Sequence, residues 1–176
     1  MREYIFTVLI SVMTVVSVKP AIGQERVYNS EKTFSIIPKE GWINYSEENN
    51  ITFAAPKRIF TLFQDYIQIY ADPVNNVKLD GLWNSFVDFL PKSLENYKIK
   101  QMGESNINGK NAKWIEFTNI VQGQTLYNLI YWLVENKIMY SITCVTLENN
   151  YQTVEKDFKK MINTFKIEVL RKAASR

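Results

Sequence analysis

Residues 104–147 alternate between apolar stretches and short polar breaks, and this pattern predicts an antiparallel meander of four β-strands. The breaks are Asn108-Gly109, Gln122-Gly123 and Glu135-Asn136-Lys137, which are residue types of tight hairpin turns. The strand between the last two breaks, in residues 126–134, carries apolar side chains at both odd and even positions. A strand of this kind is covered on both faces, so the sheet is expected to be sandwiched between helices.

Two segments, residues 79–97 and 151–165, have apolar side chains at helical spacing and are predicted to cover the sheet. Asp80 is a candidate N-cap of the first helix, and Pro91 is predicted to kink or split that helix near residues 89–90. Runs of strands with segregated helices indicate an α+β fold, here with helices on both sides of the sheet (α/β/α). Short strands are also predicted ahead of the helices, in residues 33–38, 51–55 and 59–71.

The composition excludes several classes of function. Histidine is absent from the 176 residues, which removes the commonest general base and the commonest metal ligand. The net charge is +3, and three of the basic residues lie in the last six positions, so the rest of the chain has no basic stripe for nucleic acid. Neither a Gly-rich phosphate loop, nor Gly-x-Ser-x-Gly, nor Cys-x-x-Cys occurs, so we expect no cofactor and no metal.

The first 23 residues have the three-part pattern of a secretory signal peptide. Arg2 precedes an apolar run at residues 5–18, and small residues precede a cleavage site after Gly23. A membrane span needs about 20 apolar residues, so this run is short for an anchor, although a retained anchor is the alternative. We therefore expect a secreted or periplasmic protein with a signal peptide at 1–23, a single domain at 24–170 and a basic tail at 171–176.

Three motifs carry a resemblance to a known family. They are a strand that ends in Pro-x-x-Gly-Trp (residues 34–42), an Asn-Gly hairpin (residues 107–117) and a helix that ends in Thr-Phe-Lys (residues 158–166). With them the chain resembles the PsbP-like family, named after an extrinsic protein of photosystem II, over about residues 27–166, and it is most similar to secreted bacterial members. The resemblance implies an antiparallel sheet between helices and an accessory or adaptor role on larger assemblies.

Four aromatic residues in the early loops, Trp42, Tyr45, Phe60 and Phe63, are the candidate binding site. Exposed together they would form a partner-binding patch, because aromatic side chains are enriched in interface cores. The competing interpretation is that they cap the edge of the hydrophobic core.

Two further groups of residues are weighed as reactive sites. Asp65, Asp72 and Asp80 would offer oxygen ligands to a cation, but their spacing is irregular and fits turn and cap carboxylates better. Cys144 is the only cysteine, so no internal disulfide can form, and its apolar strand predicts a small core side chain.

These observations lead to two hypotheses of function. The first is a monomeric accessory protein without enzymatic activity, which binds a protein partner or a small ligand through loops at one end of the sheet. It binds no nucleic acid, and it contacts a membrane only if the signal segment is retained. The second is a hydrolase-type enzyme that uses carboxylate or Ser/Lys chemistry in a sheet-edge pocket. A deep pocket with two convergent titratable groups would favour the enzyme, and a flat aromatic patch would favour the binding protein.

Overall fold

The computed structural model of the protein describes residues 25–31, 33–48, 50–57, 63–75 and 78–168. The predicted signal peptide at 1–23 and the predicted tail at 171–176 lie outside these ranges. Within them the helices are α1 (Leu79–Ser93) and α2 (Tyr151–Ile162). The strands are β1 (Val27–Tyr28), β2 (Phe34–Ile36), β3 (Ile43–Asn44), β4 (Asn50–Ala54), β5 (Tyr66–Pro73), β6 (Lys98–Ile107), β7 (Lys110–Val121), β8 (Gln124–Glu135), β9 (Ile138–Leu147) and β10 (Lys166–Ile167).

An antiparallel sheet of seven strands forms the centre of the structure, in the order β3-β4-β5-β9-β8-β7-β6. The predicted meander is confirmed as β6 to β9, and β5 joins it by pairing with β9. A second sheet, β1-β2-β10, brings the two ends of the described chain together, because β10 pairs with β2.

The three tight turns of the meander have the backbone that right-twisted hairpins require. In each turn both central residues have positive φ, from 49° at Asn108 to 84° at Gly109, which is the type I′ pattern. Their residues are Asn108-Gly109, Gln122-Gly123 and Asn136-Lys137, so Glu135 belongs to the end of β8 and not to the turn.

Helix α1 covers one face of the sheet over β7 and β8. Its side chains Trp83, Phe86 and Leu90 pack with Ile115 of β7 and Ile130 of β8. The helix thus follows the predicted apolar spacing, which places one stripe of side chains toward the sheet.

The ends of α1 differ from the sequence prediction. Lys78 occupies the N-cap position and makes no side-chain capping bond, whereas Asp80 lies in the first turn of the helix. Pro91 lies in the last turn, and α1 runs continuously to Ser93, so the predicted split near residues 89–90 is wrong. Pro91 cannot donate a helical hydrogen bond, and the helix ends two residues after it.

Helix α2 and the small sheet cover the opposite face. Phe158 and Met161 of α2 pack into one cluster with Phe34 of β2 and with Ile142 of β9. The α+β prediction of an antiparallel sheet between helices is therefore confirmed. No helix in the described ranges is both long enough and apolar enough to cross a membrane.

Candidate functional site

The four aromatic residues predicted to bind a partner differ in burial. Trp42 is only 3% exposed and meets the ring of Phe158 edge to face, with ring centroids 5.8 Å apart. Trp42 therefore caps the core and is absent from the surface, as the competing interpretation held. Tyr45 and Phe63 are half-buried, and Phe60 lies outside the described residues. A binding role for Tyr45, Phe60 and Phe63 stays a prediction.

The three aspartates weighed as a cation site lie apart. Asp65 is buried and accepts a hydrogen bond from the Thr146 hydroxyl at 2.6 Å. Asp80 is exposed and forms an ion pair with Lys113 at 2.8 Å, and this hydrogen bond lowers the pKa of its carboxyl. Asp72 lies on β5, where partial burial raises the pKa of its carboxyl. In the ranges that the structure covers, no three potential ligands of the His, Cys, Asp or Glu type come together.

Two places where an enzyme could have reactive groups, Cys144 and a surface cleft, give the enzyme hypothesis no support. Cys144 is buried in the core, and burial raises the pKa of its thiol well above the ordinary value, which disfavours the nucleophilic thiolate. A cleft of about 210 Å³ lies beside the β6–β7 turn, and none of its lining residues is a carboxylate. It is lined by Ile107, Asn108, Lys110, Phe165, Lys166 and Ile167.

Glu116 is a buried carboxylate that joins four elements of the fold. It is 2% exposed and accepts hydrogen bonds from Gln101 Nε2 at 2.6 Å, from the Tyr127 hydroxyl at 2.5 Å and from the Tyr151 hydroxyl at 2.9 Å. Burial raises the pKa of both tyrosines, and the charge of Glu116 raises it further, so both hydroxyls remain protonated donors. The bonds tie β6, β7, β8 and α2 together, which is a structural role.

The seven-stranded sheet ends in two edge strands of very different length. One edge is β3 with two residues, and the other is β6 with ten residues, which pairs only with β7 among the described elements. Among the described residues no strand pairs with the outer side of β6, which there presents a row of unpaired backbone N–H and C=O groups. Natural proteins usually keep such edges short, charged or covered, because a long free edge is a template for another chain.

Exposed apolar side chains concentrate at this long edge. In the described part of the chain, four large apolar side chains are clearly exposed: Ile99 (47%), Met102 (54%), Val121 (40%) and Tyr28 (47%). Three of the four lie on β6 or at the end of the neighbouring β7, and Tyr28 lies on the small sheet. We call the free side of β6 together with Ile99, Met102 and Val121 the β6 edge surface.

A β-bulge brings Ile99 and Met102 to the same face. The register between β6 and β7 shifts around Lys100, so Ile99 lies opposite Phe117 and Met102 lies opposite Ile115. Both of these partners pack against α1. Residues directly opposite each other share a face, so Ile99 and Met102 lie on the α1 side of the sheet. They are not part of the hydrophobic cluster that α1 covers.

The other face of the edge is closed by an aromatic ring. Trp114 lies opposite Gly103, and a Cβ placed on Gly103 would come within 3.2 Å of the Trp114 ring. The ring packs against the cluster on the α2 side and lies 6.3 Å from Tyr131. A ring that covers an edge glycine shields the backbone on one side, so the α1 side is the open side of β6.

The sequence predicts the meander from residue 104 onward and indicates no role for Ile99 or Met102. The signal that could have found them is their spacing of three within residues 98–106, where the other side chains are polar, because regular alternation has a spacing of two. Their exposure also depends on β6 being the last strand of the sheet, and that follows from the strand order rather than from local sequence.

Comparisons with known proteins agree with this architecture. A family model for PsbP matches residues 82–167, which run from α1 to β10. The cyanobacterial PsbP protein CyanoP from Synechocystis is similar in structure, with a TM-score of 0.60 and 12% identity over 91% of this chain and 99% of that chain. No curated protein sequence matches this chain.

Two further solved structures are similar. LpqN of Mycobacterium tuberculosis, described as involved in cell envelope biogenesis, has a TM-score of 0.65 and 9% identity over 82% of this chain and 90% of that chain. PA94 of Pseudomonas aeruginosa has a TM-score of 0.61 and 16% identity over 72% of this chain and 86% of that chain. Similarity at these identities concerns the fold alone.

Proposed function

Since the chain is a PsbP-like protein, we propose that it is an exported accessory protein without catalytic activity, which binds a protein partner through the β6 edge surface. The observation that carries this proposal is the concentration of exposed Ile99, Met102 and Val121 along the one long free edge. Exposed apolar side chains grouped near a free sheet edge are typical of interaction sites. A free edge strand of ten residues also suits a protein partner better than a small ligand.

The exposed apolar side chains contribute a modest part of the binding free energy. Full burial of a side chain of this size contributes about 1.5–3 kcal/mol, so covering the exposed half of Ile99 or Met102 contributes about 1 kcal/mol each. Contacts of this strength fit reversible binding. The remaining affinity would come from hydrogen bonds to the backbone groups on the outer side of β6.

Export is the part of the proposal that rests on the predicted signal peptide at residues 1–23. The proposed place of action is the cell envelope, and LpqN, which has a similar fold, is described as involved in cell envelope biogenesis. N-terminal sequencing of protein recovered from the source organism tests this point. A mature chain that begins at Gln24 supports export, and a chain that keeps residues 1–23 contradicts cleavage.

Site-directed crosslinking tests the binding surface. Cys144 is buried, so a Met102→Cys variant offers a single accessible thiol for a photoactivatable crosslinker. Tyr28→Cys is the matched control, because Tyr28 is similarly exposed but lies on the small sheet. We expect one defined protein adduct in the organism's own envelope from Met102→Cys, which disappears when Ile99→Asp is added. If both positions give the same adducts, or Met102→Cys gives none, the proposed surface is wrong.

A further inference from the structure

We propose that Asn108 is a deamidation site that the fold protects, and that hydrolysis of its side-chain amide releases the β6–β7 turn from the end of α2. Asn108-Gly109 is the only Asn-Gly pair in the sequence, and Asn108 is exposed to water. Glycine has no Cβ, so its backbone nitrogen approaches the preceding side chain easily, which makes Asn-Gly the pair in which asparagine hydrolyses most readily. The inference is independent of the proposed function.

The side-chain amide of Asn108 joins the meander to the end of the described chain. Its Nδ2 donates to the backbone carbonyl of Asn163 at 3.0 Å and to that of Phe165 at 2.6 Å. Asn163 is the C-cap of α2, and Phe165 immediately precedes β10. The carbonyls at the end of a helix have no partner within the helix, so Asn108 supplies a donor that α2 itself lacks.

These two bonds are not a requirement of the turn. Asn136 occupies the corresponding position of the β8–β9 turn, with a φ of 51° against 49° at Asn108. Within the part of the chain that the structure describes, the Asn136 side chain makes no hydrogen bond to another element. The contact of Asn108 with the end of α2 is therefore additional to the turn, and it depends on the amide nitrogen.

The reaction begins when the Gly109 nitrogen, as it loses its proton to water, attacks Cγ of Asn108. Ammonia leaves with the amide nitrogen, and water opens the cyclic imide to aspartate or isoaspartate. In the folded protein the Gly109 N–H donates to Asn106 Oδ1 at 2.7 Å, and the amide nitrogen of Asn108 is held by the two carbonyls. Both groups must leave these partners before the ring closes, so the reaction waits for local opening of the turn.

Deamidation removes the donor on which the contact with α2 depends. An ionised aspartate accepts hydrogen bonds only, and it would face carbonyl oxygens at the negative end of the α2 dipole. Positive charges reduce this repulsion, because the last turn of α2 carries Lys159 and Lys160 and the cleft beside the turn is lined by Lys110 and Lys166. An ion pair with one of these lysines does not replace the amide donor, so the segment between α2 and β10 loses its bonds to the meander.

Peptide mapping by mass spectrometry tests the protection. The protein is incubated in mildly alkaline buffer, either folded or unfolded in guanidinium chloride, and conversion of Asn108 to aspartate and isoaspartate is followed. We expect the reaction to be about ten times faster, or more, in the unfolded protein, because the folded turn opens only rarely. Equal rates in the two states overturn the protection.

Two single variants show which contact protects Asn108. Asn106→Ala frees the Gly109 N–H and should accelerate the reaction in the folded protein. Asn111→Ala is the matched control, because Asn111 is exposed and lies opposite Asn106 on the same hairpin, and it should leave the rate unchanged. Equal rates in the two variants contradict protection through Asn106.

Thermal unfolding tests the release from α2. Asn108→Asp copies the product of deamidation and keeps a residue type that tolerates positive φ. We expect its melting temperature to fall by about 4–8 °C, which is the shift given by loss of two ordinary hydrogen bonds in a domain of this size. Asn136→Asp makes the same change in a turn without such bonds and should alter the melting temperature little. An Asn108→Asp variant as stable as the wild type, or an equal loss in Asn136→Asp, overturns the release.

Discussion

Removal of the Tyr151 hydroxyl is expected to destabilise the fold although the residue is only half-buried. Tyr151→Phe deletes the donor that reaches Glu116 from α2 and keeps the ring, which stacks on Tyr127 with centroids 3.6 Å apart. A hydrogen bond to a charged group contributes about 1.5–3 kcal/mol, and Glu116 has no water to replace the lost donor because it is buried. We expect a loss of about 2 kcal/mol, which is a large fraction of the 5–15 kcal/mol typical of a domain.

Urea unfolding followed by tryptophan fluorescence measures this loss. Tyr97→Phe is the matched control, since the Tyr97 hydroxyl has no hydrogen-bond partner among the described residues although its ring contacts Phe117. In a double-mutant cycle with Glu116→Gln, the effect of Tyr151→Phe should become much smaller. A loss below about 0.5 kcal/mol, or one equal to that of Tyr97→Phe, would refute the role of Glu116 as a clamp between α2 and the sheet.

Three further predictions concern the core, the pH dependence and the edge. Trp42→Ala should lower the free energy of unfolding in urea by about 3–5 kcal/mol, because it leaves a cavity against Phe158. A loss under about 1 kcal/mol would contradict a place for Trp42 in the core. Burial raises the pKa of Tyr66 from 10.0 to about 12, so its contribution to stability is complete below pH 10 and is lost as the pH rises from 10 through about 12. Unfolding free energies that stay level between pH 9 and 12 would contradict this. Gly103→Val should lower the melting temperature by displacing the Trp114 ring, at a cost of about 1–3 kcal/mol, and this cost should be smaller when Trp114→Ala is also present. An equal cost with and without the Trp114 ring would contradict this explanation.

The central part of the fold could be predicted because its signals are local. The meander follows from alternation and from turn residues such as Asn108-Gly109, where positive φ is required. The helices follow from the spacing of the apolar residues. Their prediction is correct, although Asp80 is not the N-cap and Pro91 does not split α1.

Other features depend on contacts between distant parts of the chain. The two-residue strand β10 has no pattern of its own and exists through its pairing with β2. The burial of Trp42 depends on its contact with Phe158, which is more than one hundred residues away in the sequence. In the same way, nothing near β6 in the sequence shows that this strand is the last one in the sheet, so the β6 edge surface becomes visible only with the strand order.

The pairing of β5 with β9 and of β2 with β10 has a consequence for the order of folding. The strands β6 to β9 are joined by two-residue turns, so they close short loops and can form early. β3, β4 and β5 pair only with one another until β9 has been made, and β2 gains its second partner, beside β1, only when β10 follows α2. During synthesis the first third of the chain therefore cannot complete its structure before the last thirty or so described residues are present.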